Sequence, residues 1–325
     1  MDKFILPTLK PRPIDGHKGT FGTVGILGGS VGQVGLVGQA DTPHPRMIGA
    51  PALVALGANS TGCGLVKIGA PEPILTAILT LAPMATGYSI ATTQDGHMVA
   101  NDAASVFGRL IEESDALVIG PGMGTRDDAS RLMEHALKTS TMKRCRSMVI
   151  DADAITVLCQ DPPILNSIQH IPAVLTPHPG EAQRLLDALG FEGNPTGNET
   201  QRIEVCTTLA KALKAIVVLK GQGTVVSDGH RHWVCTHGHP CLATGGTGDV
   251  LAGMIGSVIA QGLDNLTIID VFACACIAVD VHGLAGEMWA MQNDAQAGLD
   301  PRALCALIPR AMQTHRNSPN DDPEH

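Results

Sequence analysis

Residues 244–262 read TGGTGDVLAGMIGSVIAQG, a run of small residues and one carboxylate that leads into an apolar helix. Gly245, Gly246, Thr247 and Gly248 leave backbone N–H groups uncovered at the positive end of a helix dipole, which makes a site for an anion. Leu251, Met254, Ile255, Val258 and Ile259 follow the i, i+3, i+4, i+7, i+8 rhythm of a buried face, so the helix starts near Gly248 or Asp249. An acid in a first helical turn can simply complement the dipole. Beside a bound phosphate, Asp249 also stands where a general base would take a proton from an attacking hydroxyl.

Such a loop must be held by something. Short apolar, β-branched runs at residues 24–27, 65–68, 116–119, 148–150, 174–176 and 216–219 read as buried strands bounded by Gly, Pro or Asp. Helical patterns lie between them, at 127–137, 181–189 and 199–214. The alternation predicts one α/β domain with a mostly parallel sheet covered by helices on both faces. Ligands of such sheets gather at the carboxyl ends of the strands. Here those ends carry GGS at 28–30, GPGMG at 120–124, DAD at 151–153, TPHPGE at 176–181 and KGQGT at 220–224. Together with GGTGD they point to one composite cleft. Asp151 and Asp153 are expected to cap the helix that follows them. The helix at 270–282 is apolar nearly all round and reads as core. The domain is taken as residues 1–310, and 311–325, ending in HRNSPNDDPEH, as a disordered tail.

Composition narrows the function classes. A formal net charge of −9 with 2% aromatic residues argues against a nucleic-acid surface. No apolar run reaches the ~18–20 residues of a membrane span, and the N-terminus has prolines and charges where a signal peptide is apolar. A cytoplasmic location is the expectation. Nine cysteines without a C-x-x-C pair read as reduced core residues. HRHWVCTHGHPC at 230–241 alternates His and Cys as a β-ribbon metal site could, but Gly and Pro interrupt it and the spacing fits no common zinc pattern.

Seven strings carry a more specific likeness: HKGTFGTVGILGGS, GAPALVALGA, VIGPGMG, VIDADAI, LTPHPGEAQRLL, VVLKGQGT and LATGGTGDVLAG. In this order, over most of the chain, they resemble the ADP/ATP-dependent NAD(P)H-hydrate dehydratases, in the carbohydrate kinase-like branch of the ribokinase superfamily. The resemblance implies a ribokinase-like three-layer α/β/α sandwich. It also implies dehydration of the S-epimer of hydrated NADH or NADPH at the expense of ADP or ATP, with Mg²⁺ bridging nucleotide oxygens, in a homo-oligomer served by a separate epimerase. Carried over by position, Asp249 matches the catalytic acid that also meets substrate, and Ala50, Gly122, Gly124 and His178 resemble substrate-contacting positions. Lys220, Gly221, Gln222, Gly223 and Thr224, with Gly245, Gly246, Thr247 and Gly248, resemble the nucleotide site. Glu181, three residues after His178, is the candidate to orient the metal through water. The segment at 31–47 is longer than the family's loop and is expected to narrow the substrate side. Two rivals share the anion loop. One is a small-molecule kinase of the same superfamily, acting on a vitamin precursor or sugar alcohol; the other is a non-catalytic nucleotide sensor. TPHPGE, HKGTFG and KGQGT favour the dehydratase over the kinase, and the retained Asp249 disfavours the sensor.

Overall fold

The computed structural model describes residues 4–9, 11–32, 45–138, 142, 144–262 and 270–317. Each strand run pairs with its neighbours into one sheet: β1 (Thr23–Leu27), β2 (Leu65–Pro71), β3 (Thr86–Ile90), β4 (Ala116–Ile119), β5 (Met148–Ile150), β6 (Ala173–Leu175), β7 (Ile216–Leu219), β8 (Val225–Ser227) and β9 (His232–Val234). Their order is β3-β2-β1-β4-β5-β6-β7-β8-β9. The first seven are mutually parallel, β8 runs antiparallel to β7, and β9 antiparallel to β8.

The helices are α1 (Gly49–Thr61), α2 (Glu72–Leu81), α3 (Ala100–Glu113), α4 (Asp127–Lys138), α5 (Asp153–Gln160), α6 (Pro162–Ser167), α7 (Pro179–Leu189), α8 (Glu199–Leu213), α9 (Thr247–Gln261), α10 (Val271–Asn293) and α11 (Pro301–Asn317). Alternate strand residues feed two separate cores, as the period of two requires. Val118, Val149, Val174 and Val218 pack with α1, α2, α9, α10 and α11. Ile119, Ile150, Leu175 and Leu219 pack with α3 to α8. The result is the three-layer α/β/α sandwich, with the sheet buried on both faces and the α9 mouth at its carboxyl edge.

A close crossing of α1 and α9 fixes that mouth. A Cβ at Gly57 would lie 2.4 Å from the Val250 carbonyl oxygen, and one at Gly253 would lie 2.0 Å from that of Val54. Only hydrogen fits at either position, so the two backbones are in contact from Val250, next to Asp249, to Gly253, one turn behind it.

Several expectations need correction. β3, β8 and β9 escape the pattern reading: β3 is a half-exposed edge strand, and β8 and β9 have three residues each. The HRHWVC segment contributes His232–Val234 to β9, and among the described residues no group of three or more His, Cys, Asp or Glu could hold a metal ion. The chain does not become a tail at residue 311, because α11 continues to Asn317 with Met312 and His315 buried. Residues 318–325 lie outside the described residues, as do 33–44 of the segment expected to narrow the substrate side. Finally, α10, at 23 residues, is long and apolar enough to cross a membrane by length and composition, yet most of its apolar window is buried inside the fold.

Candidate active site

α9 starts at Thr247, one residue before the reading of the sequence, with Gly246 as N-cap at φ +95°, a left-handed conformation that glycine adopts without strain. Among the described residues, the amides of Gly245, Gly246, Gly248 and Asp249 make no hydrogen bond. Thr247 differs from its neighbours. Its N–H donates to the Thr244 carbonyl (3.3 Å) and its hydroxyl to the carbonyls of Leu242 (2.8 Å) and Thr244 (2.9 Å), so its polar donors shape the loop rather than face a ligand. From below, Nε2 of half-buried His282 meets the Thr247 carbonyl at 3.0 Å. Burial lowers that imidazole's pKa to about 4, so a neutral ring donates the bond. A Cβ at Gly245 would meet nothing within 4 Å, and one at Gly248 only Lys220 Nζ, at 3.5 Å. The cleft opens above these two glycines.

Lys220 enters from the end of β7. Its ammonium donates to Asp151 Oδ1 (2.9 Å), and Asp151, 1% exposed at the end of β5, also accepts from the Thr176 hydroxyl (2.6 Å). Burial opposes the charge on Lys220, but Asp151, Glu181 and Asp249 outweigh it and raise its pKa. Asp249 has the reverse balance. Burial first and the negative charge of Asp151 second push its carboxyl up to about 7, against the pull of Lys220, and it accepts no hydrogen bond among the described residues. A carboxylate with free lone pairs and a pKa near neutrality is what a general base requires.

Neither Asp151 nor Asp153 acts as a side-chain cap of α5, whose N-cap is Ala152 with no side-chain bond. Asp151 holds Lys220, and Asp153 accepts from the Gly124 amide (2.9 Å), so it fixes the GPGMG loop. That loop forms the other wall. A Cβ on Gly122 (φ +66°) would lie 3.3 Å from Ala50 Cβ and 2.8 Å from Met47 Cβ, and Gly124 faces Ser30. Ala50 and Gly122 therefore pack together in this wall beside Met47, with Gly124 two residues further along it.

His178 and Glu181 behave mainly as a helix start. His178 Nδ1 accepts from the amides of Gly180 (3.0 Å) and Glu181 (3.3 Å), while Glu181 Oε2 accepts from the His178 amide (2.8 Å), closing a capping box. The imidazole Nε2 then faces Glu181 Oε1 at 3.3 Å. Burial, with Lys220 and Arg184 nearby, lowers the His178 pKa. Burial likewise raises that of Glu181 despite Lys220. Both Glu181 oxygens face His178, one the backbone amide and the other the imidazole.

The loop at 220–224 shows what the sequence reading missed. Its amides at Gly221, Gln222, Gly223 and Thr224 are unpaired among the described residues, and the Thr224 hydroxyl donates back to the Gly221 carbonyl (2.9 Å). Arg202 of α8, 9% exposed, reaches under the loop to the carbonyls of Leu219 (3.2 Å), Lys220 (3.3 Å), Gln222 and Gly223 (3.0 Å). One signal was available: Arg202 falls in phase with the apolar stripe of Val205, Cys206, Leu209 and Leu213, where a charge is out of place. Loop and guanidinium border a cavity of about 1620 Å³.

Comparison with known proteins matches residues 44–310 to the family model Carb_kinase, described as NAD(P)H-hydrate dehydratase. The ADP-dependent (S)-NAD(P)H-hydrate dehydratase of Bacillus subtilis is 31% identical over 316 residues, 96% of each chain. A solved structure of the Bacillus subtilis ADP/ATP-dependent NAD(P)H-hydrate dehydratase, co-crystallized with ATP/Mg²⁺, superposes with a TM-score of 0.68 at 27% identity, covering 95% of each chain. The bifunctional NAD(P)H-hydrate repair enzyme of Coxiella burnetii is 30% identical over 298 residues, 91% of this chain but 51% of that relative. The chain thus spans about half the length of the bifunctional relatives it matches. The chain belongs to the NAD(P)H-hydrate dehydratase family.

Proposed function

We propose that this chain dehydrates the S-epimer of hydrated NADH or NADPH, with ADP as phosphoryl donor and AMP and phosphate as products. Asp249 carries the reading: a carboxylate poised near pH 7, free of hydrogen-bond donors, at the rim of four unpaired amides and beside Lys220. Hydroxide leaves the tetrahydropyridine ring poorly, so the oxygen is first made a phosphate ester. Asp249 takes the hydroxyl proton as that oxygen attacks the terminal phosphorus of ADP, and the bond to the bridging oxygen breaks to release AMP. The amides of Gly245, Gly246 and Gly248 and the ammonium of Lys220 stabilise charge on the transferring group. The ring nitrogen's lone pair then expels phosphate, and the iminium loses a proton from the adjacent carbon to restore the dihydropyridine. Ala50, Gly122 and Gly124 form the wall against which the ring packs.

ADP is favoured because the relative that matches this chain from end to end is named for it. The kinase alternative would release the phosphoester instead, and the matched family model gives it no support. The test is to incubate the folded chain with the hydrated dinucleotides, Mg²⁺ and either ADP or ATP, and to follow dihydronicotinamide absorbance. Recovered absorbance with stoichiometric AMP is expected, and no recovery with either nucleotide overturns the reading.

A further inference from the structure

Arg202 is a buried cation with no carboxylate partner within ion-pair distance among the described residues. A buried charge is normally paired, and this one is instead wrapped in carbonyl oxygens at 219, 220, 222 and 223. In a trans peptide the N–H points opposite to the carbonyl of the same unit. Turning the carbonyls of Lys220, Gln222 and Gly223 toward the guanidinium therefore turns the amides of Gly221, Gly223 and Thr224 away from it. Those three amides have no partner among the described residues, and Gly221 and Gly223 line the cavity. Gly221, at φ +136°, lets the guanidinium approach: a Cβ there would sit 3.1 Å from Arg202 Nη2.

We infer that Arg202 is a positioning residue for the nucleotide, holding loop 219–224 as a preformed amide cradle for phosphate oxygens and placing its own unpaired charge behind them. Glu199 of the same helix acts on Arg202 only from beyond ion-pair distance, and a bound phosphate supplies a closer counter-charge. The inference rests on the nucleotide-dependent reading above and adds a residue outside its motifs.

The test uses Arg202→Lys, which keeps charge and stem but loses the fork that reaches four carbonyls, and Arg202→Met, which loses both. With ADP and the hydrated dinucleotide as probes, Arg202→Lys should raise the KM for ADP about ten-fold. That rise should exceed any fall in kcat, and the KM for the dinucleotide should not move. Arg202→Met should lose ADP-induced thermal stabilisation. An ADP KM equal to that of the parent in a folded variant overturns the inference. If both variants fail to fold, hydrogen exchange on the unmutated chain decides: ADP should protect the amides of residues 221, 223 and 224, and absence of protection there overturns the cradle. Failure of the dehydratase reading looks different, since the unmutated chain would then turn over with neither nucleotide while ADP binding and exchange still report on Arg202.

Discussion

The two walls of the cleft are built by opposite means. One is a knot of charge, in which Lys220 is shared among Asp151, Glu181 and Asp249, with burial and mutual repulsion setting proton affinity. The other, made from Ala50, Gly122 and Gly124, consists of what side chains leave out, and its one carboxylate, Asp153, is tied to the Gly124 backbone. The difference teaches where tolerance lies. Changes to the charged wall alter chemistry while leaving shape intact, whereas changes to the small-residue wall alter shape and so the fit of substrate.

The sharpest way to break this division is Asp249→Asn. It preserves volume and removes the base, so turnover should fall ~10²–10⁴-fold with nucleotide binding retained. Near-normal turnover would reduce Asp249 to a dipole partner. Stability should move the other way. The native carboxyl holds its proton up to about pH 7 while the unfolded one releases it near 3.8, so the folded state loses stability as pH rises between these values and bears the full cost above 7. Asp249→Asn should therefore raise Tm at pH 8 and leave it unchanged near pH 4, as calorimetry at the two pH values would reveal.

Gly248→Val is the next largest effect. Gly248 lies in ordinary helical backbone, so its substitution tests occupancy of the cleft rather than strain. ADP should stabilise the parent against heat and the variant much less. Equal shifts would remove the α9 mouth from the nucleotide site.

Asp151→Asn probes the charge knot from within. Because Asp249 must be ionised to act, kcat/KM should fall as pH drops below about 7 in the parent. Removing Asp151 deletes a repelling neighbour and frees Lys220 toward Asp249. The acid limb of the profile should move to lower pH, and an unmoved limb would show that the two carboxylates do not communicate.

The smallest effect is at His178. Losing its cap should cost about 0.5–2 kcal/mol of stability in His178→Ala, and His178→Asn should restore most of that through its own side-chain oxygen. If Asn also restores the KM for the hydrated dinucleotide, the residue positions α7; if that KM stays raised, the imidazole itself touches substrate.

Much of this was legible in the sequence, for uneven reasons. The strands from β4 to β7 announce themselves because burial on both faces forces continuous β-branched runs, and the α9 mouth because its glycines precede a regular apolar stripe. β3, with Gly87 and Tyr88 at a half-exposed edge, has no such pressure on it. Asp151 looked like a cap because a helix follows at once. Its partner Lys220 is 69 residues away, and only the parallel pairing of β5, β6 and β7 brings the two strand ends together. Arg202 left one local trace, a charge in phase with an apolar stripe, but the carbonyls it holds belong to the strand and loop that follow its helix. Local rules identify elements, but which charges meet is decided by topology.

The crossing of α1 and α9 has a consequence for how this site can change. With backbone against backbone at Gly57 and Gly253, no rotamer can absorb an added methyl, and α9 would have to tilt as a rod. Asp249 rides on that rod at the forward end of this contact, next to Val250, so a disturbance deep in the interior is delivered to the reacting oxygen as a displacement. The crossing works as a fulcrum: the aim of the base is set from inside the fold, and a mutation that never reaches the surface can blunt it.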